Sequence, residues 1–385
     1  MLGQLLRSFR VKSVNFIACV ARQPVNAAFV VLSIFGLSFA VSKFVRNSED
    51  KMSNRPVDDK KASTRASDVS KLTRASIHTL AAEKEFAKHK SLADFGYHFT
   101  GDGELRDIES GKGFEFKVKD DQRFNQKRYE MIGEFITEHV YELLEKEAKL
   151  HRINVPLDAK EDQPQSFIFA SDDYKTNKDK LMVLIHGSGV VRAGQWARRL
   201  IINNNLKCGT QLPYIERAKQ EGYAVIVLNT NLNHVEENGQ KKPIPGNGQP
   251  EEHGMYVWKN IINKLPAKHI ALVAHSYGGI VTTHLAREFA EEFNERVFAI
   301  AFTDSVHNLQ WQQAPESVHN LFQQRAQNWV ASDEKLDTPV RAARRDAPCV
   351  SAGHDTHEWT SWSAIESIFA FFNKKYPASY SSSDL

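Results

Sequence analysis

Residues 270–285 read IALVAHSYGGIVTTHL, and the fold is decided by the break in the middle of them. An apolar, partly β-branched run stops at Ser276, two glycines follow, and Ile280, Val281 and Leu285 resume at helical spacing. A strand that feeds a helix through small–x–Ser–x–Gly makes a tight turn that holds the serine hydroxyl clear of the sheet, with its own backbone at a helix N-terminus. Ala274 takes the first small position, where glycine is usual, and Gly278 and Gly279 leave room on the helix side. Ser276 is therefore the candidate nucleophile.

Working outward, SFIFAS, KLMVLIHG, YAVIVLNT, HIALVAHS, RVFAIAFTDS and APCVSAG are six short apolar runs. Four of them are separated by segments with helical periodicity, such as TQLPYIERAKQEG and EEHGMYVWKNIINKL. Short apolar strands alternating with helices predict an α/β fold with a mostly parallel sheet covered on both faces. Ligands in such sheets sit at the carboxyl ends of the strands, here HGSG, NTN, HSYGG, TDS and AGHD. Upstream, FGYHFTGDGELRDIESGKGFEFKV predicts a small β-meander with Gly-rich turns. The three- and four-residue recurrence of Tyr129, Ile132, Ile136, Val140, Leu143 and Leu144 predicts a long amphipathic helix between Asn125 and Leu150.

A nucleophilic serine needs a base, and the base an orienting acid; in hydrolases of this architecture the chain order is serine, acid, histidine. Asp304, at the end of RVFAIAFTD, and His357, in the loop GHDTHEWTSW, satisfy that order. His354 competes for the base, and Asp355 or Asp337 for the acid; the blander reading makes Asp304 a cap and the two histidines loop residues. No third ligand accompanies them, so no metal is expected, and nothing in the sequence calls for a cofactor. The oxyanion hole would come from the backbone N–H groups of Tyr277 and Ser188, with Gly187 allowing the close approach; the alternative is that HGSG is only a tight strand-to-helix turn. Arg192, Arg198 and Arg199 around Trp196 read either as a cationic rim or as a solvated face with the indole turned inward. Arg341 to Arg345, RAARR, read as exposed loop charge.

With 385 residues, 41% apolar and a formal charge of +3, the chain can bury a full core, and its net charge gives no reason to expect nucleic-acid binding by the whole surface. Cys19, Cys208 and Cys349 are odd in number and unpaired by spacing, which indicates reduced thiols. Residues 1–46 read as a targeting or membrane-anchor segment, since QPVNAAFVVLSIFGLSFAVS between Arg22 and Lys43 is uncharged, has basic flanks and is long enough to span a bilayer. A cleaved signal, a mitochondrial presequence and an apolar helix docked on the folded part are the other readings. Residues 47–91 form a polar linker, 92–376 the folded domain and 377–385 a flexible tail.

HGSGVVRAGQWARRL, QPEEHGMYVW, VAHSYGG, TDSVHN and CVSAGHDTHEWTSW closely resemble the argonaute-binding Arb2-type family, in particular its animal branch of co-transcriptional regulators, family with sequence similarity 172. FNQKRYEMIGEFITEHVYELLEK and SFIFAS extend the resemblance, which runs from about Leu92 to Phe372. It implies an α/β-hydrolase-like fold, association with argonaute and with chromatin or splicing factors, indirect contact with siRNA, and roles in small-RNA-linked heterochromatin formation and splicing control. Carried over by motif, the family's nucleophile falls on Ser276, its TDS acid on Asp304 and its late-loop histidine on His357; His354 lies outside the motif. The hydrophilic insertion before the PEEH helix is reduced to NHVEENGQKKPIPGNGQ, without a basic import segment. The resemblance implies a nuclear location, and residues 23–42 the endoplasmic reticulum or another membrane. Two function classes follow: an adaptor that keeps the hydrolase site as a folded pocket, which the family's roles favour, and a serine hydrolase acting on an ester, thioester or amide.

Overall fold

The computed structural model describes residues 85–377, apart from position 238. The segment at 23–42, most of the linker and the tail beyond Pro377 lie outside the described residues; among those described, no helix is long and apolar enough to cross a membrane.

A nine-stranded sheet organises the domain. All six apolar runs are strands in it: β4 (Ser166–Ser171), β5 (Lys180–Ile185), β6 (Tyr223–Val227), β9 (His269–His275), β10 (Val297–Thr303) and β13 (Cys349–Ser351). Three more strands were not evident from the sequence: β3 (Leu150–Val155), β11 (Ala326–Val330) and β12 (Pro339–Val340). The order across the sheet is β12-β13-β11-β10-β9-β5-β6-β4-β3. The stretch from β13 to β6 is parallel, and β12, β4 and β3 pair antiparallel at the margins.

Strand residues alternate between two cores, as the two-residue pleat requires. On one face Met182, Leu184, Val225, Ala271, Val273 and Ala301 pack with α1 (Gln122–Lys146), α4 (Leu212–Gln220) and α10 (Ile365–Lys375). On the other, Val183, Ile226, Leu272, Ile300 and Phe302 pack with α5 (Pro250–Asn260), α6 (Gly278–Glu288), α7 (Ala290–Arg296) and α8 (Glu316–Arg325). Two short helices, α2 (Arg198–Asn203) and α3 (Leu206–Gly209), follow the HGSG loop, and α9 (Thr360–Ser363) precedes α10.

The predicted long helix is present as α1, capped by the Asp121 carboxylate accepting from the Arg123 and Phe124 N–H groups, with Ile132, Ile136, Val140 and Leu144 buried. The β unit before it is smaller than the alternation suggests. Only β1 (Tyr97–Phe99) and β2 (Leu105–Asp107) pair. FEFKV at 114–118 is claimed by α1 instead: Arg128 Nη1 donates to the Glu115 carbonyl at 2.9 Å, and the Asn125 side-chain oxygen accepts from the Val118 N–H at 3.2 Å. The reduced insertion folds as an exposed hairpin, β7 (His234–Glu237) with β8 (Gln240–Pro243).

Candidate functional site

The carboxyl edge of the parallel strands gathers every residue predicted for the site. β9 ends at His275, and Ser276 adopts φ 52°, in the left-handed region that a serine rarely occupies. Ser276 N–H donates to the Thr303 carbonyl at 3.1 Å, and the Ser276 carbonyl accepts from Val306 N–H at 3.2 Å, so the turn is tied to the end of β10 on both sides. α6 starts two residues later and lies so close to β5 that a Cβ on Gly278 would stand 2.6 Å from the Ile185 carbonyl oxygen. Strain at one residue, a helix entered at once and a close approach only glycine permits are the parts of the turn predicted from VAHSYGG.

Asp304 follows β10, also at positive φ (45°), with its N–H donating to the Trp329 carbonyl of β11 at 2.7 Å. One carboxylate oxygen accepts from Ala331 N–H at 3.1 Å, and the other lies 2.7 Å from His357 Nδ1. Of the competing assignments, Asp337 takes the Trp329 indole N–H and the Ser367 hydroxyl, Asp355 takes the Thr356 hydroxyl, and His354 stacks on Trp359 with its Nδ1 accepting from Thr356 N–H. Asp304 and His357 are thus the pair that the structure brings together. Burial works against a charged His357 ring, but the Asp304 hydrogen bond and charge outweigh it and raise its pKa above the ordinary imidazole value.

His275 is a neighbour that the sequence reading passed over. Its ring lies 4.7 Å from that of His357, and Nδ1 sits 2.9 Å from the Thr303 carbonyl, which fixes that nitrogen as the protonated one. Burial, with His357 nearby, holds it well below the usual imidazole range. A neutral ring there lets His357 take a proton without like-charge repulsion. The only trace of it in the sequence is its place directly before Ser276.

The HGSG loop closes the site from the β5 side. A Cβ on Gly187 would lie 3.0 Å from the Ser276 Cβ, so this loop and the serine turn are in contact. Among the described residues the backbone N–H groups of Tyr277 and Ser188 donate to no protein acceptor. The end of β6 straps the loop from below: Asn231 Nδ2 donates to the Gly187 and Val191 carbonyls at 2.9 and 3.0 Å, and Asn229 accepts from Ala193 N–H at 3.0 Å. His186 and His253, fully enclosed, are driven by burial to pKa values of about 4 and about 3, and so act as neutral struts; His253 Nε2 accepts from Asn229 N–H.

The three arginines divide. Trp196 is turned inward and buried, as the solvated-face reading has it. Arg198, however, is buried too, with Nη2 donating to the Val190 carbonyl at 3.0 Å and the Thr137 hydroxyl at 3.2 Å, so it braces the loop against α1. Arg192 folds over the carbonyls of its own loop. Arg199 alone is exposed, 3.7 Å from Glu358, on a cavity of about 290 Å³ that Thr356 and Trp359 also line.

The mostly parallel sheet covered by helices on both faces is an α/β fold of hydrolase-like architecture, and a strained serine after β9 and an acid–histidine pair lie at the carboxyl ends of its strands. The whole-chain comparisons agree on the family: residues 88–336 match the Arb2 domain, and the chain belongs to the Arb2 family. It is 44% identical to the human cotranscriptional regulator ARB2A over 341 residues, 76% of this chain and 82% of that protein. It is also 44% identical to the Xenopus tropicalis homologue, over 74% of this chain and 79% of that one. Among solved structures, a histone deacetylase from Saccharomyces cerevisiae aligns with a TM-score of 0.42 at 13% identity, over 63% of this chain and 97% of that one.

Proposed function

We propose that this protein is a nuclear co-transcriptional regulator that works through serine-hydrolase chemistry at Ser276. The location and the regulatory role rest on relatives named cotranscriptional regulators, which this chain matches over about three quarters of its length. The chemistry rests on one observation above the others, the 2.7 Å contact between Asp304 and His357 Nδ1, whose ring lies 4.7 Å from that of His275, the residue before a serine held at φ 52°. Strain of that kind costs on the order of 1–3 kcal/mol and persists where function needs it. In this reading His357 Nε2 takes the Ser276 proton as the oxygen attacks an ester, thioester or amide carbonyl. The Tyr277 and Ser188 N–H groups, with Gly187 beside them, hold the resulting oxyanion. His357 then returns the proton to the leaving alcohol, thiol or amine, and water hydrolyses the acyl-enzyme by the same route.

A second reading keeps the domain as an adaptor that binds argonaute, chromatin or splicing factors through its surface, with the pocket retained but idle. The naming of the relatives as regulators rather than enzymes favours it. A fluorophosphonate probe separates the two. The hydrolase reading expects an adduct at Ser276 that disappears in Ser276→Ala and falls by orders of magnitude in His357→Ala, while Ser188→Ala retains it. A folded wild type without adduct, whose Ser276→Ala form still binds argonaute, leaves the adaptor.

A further inference from the structure

Directly after the site's carboxylate, from Ser305, the chain builds a second serine, histidine and aspartate assembly. Ser305 Oγ lies 2.6 Å from His307 Nδ1, and His307 Nε2 lies 2.9 Å from Asp346 Oδ1. The His307 side chain is 2% exposed and that of Asp346 9%. Asp346 also accepts from the Ala347 N–H at 2.8 Å and, through its other oxygen, from the Leu309 N–H at 3.1 Å. Three donors around one carboxylate keep it ionised, so His307 donates Nε2–H to it and Nδ1 is left to accept the Ser305 hydroxyl proton. The ring itself is wedged between Phe302 and Phe322, at 4.3 and 5.6 Å between centroids.

This assembly touches both halves of the candidate site. Ser305 N–H donates to buried Asn328 at 3.1 Å, and Val306 N–H to the Ser276 carbonyl at 3.2 Å, so the turn that carries Asp304 is fastened on either side of the relay. On the opposite side the first turn of α6 lies against it: a Cβ on Gly279 would run into the Ser305 hydroxyl and stand 3.2 Å from His307 Nδ1. That packing crowds the half-buried Ser305 oxygen, which also accepts from the His307 backbone N–H at 3.3 Å. Ser305 is therefore no second nucleophile. Both hydrogen bonds of its hydroxyl go to His307, one to the ring and one from the backbone N–H.

We propose that Ser305, His307 and Asp346 form a buried positioning relay that sets the Asp304 turn, and through it the orientation of the His357 ring, relative to the Ser276 turn. Asp304, at φ 45°, is itself tied to β11 through its N–H and its carboxylate, and the relay fixes the residue that follows it, Ser305, and with it the exit of the turn. His307 and Asp346 touch no reacting atom. The inference rests on the hydrolase reading only for its kinetic consequence.

The test uses the full chain and two substitutions. His307→Phe keeps an aromatic ring between Phe302 and Phe322 but removes both relay bonds, and Ser305→Ala removes one hydroxyl with little change of volume. The first readout needs no turnover: a low-field proton resonance from the His357 Nδ1–H hydrogen-bonded to Asp304, assigned by its loss in His357→Ala. The second is the fluorophosphonate labelling rate at Ser276. With thermal melts that keep a single folded transition, the relay requires the resonance to shift or broaden beyond detection in both variants, and labelling to fall about a hundredfold, the usual cost of a displacement near 1 Å. A wild-type resonance in either folded variant overturns the proposal. If the wild type does not label at all but the resonance is lost in the folded variants, the relay stands and the hydrolase reading falls. Should His307→Phe fail to fold, Ser305→Ala decides alone.

Discussion

At the scale of single residues, Ser276 stands out because its backbone opposes its side chain. A residue other than glycine at φ 52° is held there by its neighbours at a cost of roughly 1 kcal/mol. Ser276→Gly should therefore raise the melting temperature by a degree or more while abolishing probe labelling; Ser276→Ala should abolish labelling without that gain, because it keeps the Cβ. A melt unchanged or lowered by glycine would mean the turn is not strained. His357 gives the pH prediction. Its folded pKa is raised, so the Asp304 contact stabilises the fold fully below the unfolded value of about 6.5, and that contribution is lost as pH rises through the folded pKa. The base form appears over the same rise. Labelling should accordingly increase with pH with a midpoint above about 6.5, and Asp304→Asn should move the midpoint down and destabilise the protein more at pH 5.5 than at pH 8. A midpoint unmoved by Asp304→Asn would separate the two side chains functionally.

Single elements matter here through what they brace. Arg198 at the start of α2 is a buried cation whose bonds go to the Val190 carbonyl and the Thr137 hydroxyl, not to a carboxylate. Replacing a buried charge with an apolar chain of similar length is often neutral for stability, whereas here it frees the loop that carries Ser188. Arg198→Met should thus melt close to the wild type yet label about tenfold more slowly, consistent with the sensitivity of catalysis to small misplacement. Stability lost in proportion to rate would make Arg198 a packing residue only. Elements also explain what the sequence disclosed. Five of the six apolar runs became strands buried on both faces, which leaves no polar alternation to confuse them, while β13, nearer the sheet margin, is half-buried at Cys349 and Val350. β11 escaped notice because Gln327 and Asn328 interrupt it, and Asn328 is buried to take Ser305 N–H. FEFKV carries a strand pattern, but α1 supplied a better partner for its backbone. Asp304 and His357 were legible because chain order in this architecture links them. The His307–Asp346 pair spans 39 residues without any spacing rule, so only the folded chain brings it into view.

On the scale of the whole molecule, one face of the sheet is covered by α1, α4 and α10 and the other by α5 to α8. The contacts named for the candidate site run from Thr137 on α1 to Ser361 on α9, whose hydroxyl lies 2.7 Å from Thr303 Oγ1, beside His275. The apolar segment and the start of the polar linker precede the sheet in the chain, so folding and chemistry should need nothing before Lys51. A chain that begins at Lys51 should melt in one cooperative transition within a few degrees of the full chain and label at Ser276 at the same rate. Distribution in the cell is the property that should divide the two forms. If residues 23–42 direct the protein to a membrane, alkaline extraction will leave the full chain in the membrane fraction and release the shortened one. If the full chain is released with its N-terminus intact, a spanning role for that segment is excluded, and nuclear recovery of both forms would then follow from the domain alone. A shortened chain that melts far below the full one would show instead that residues 1–50 complete the fold.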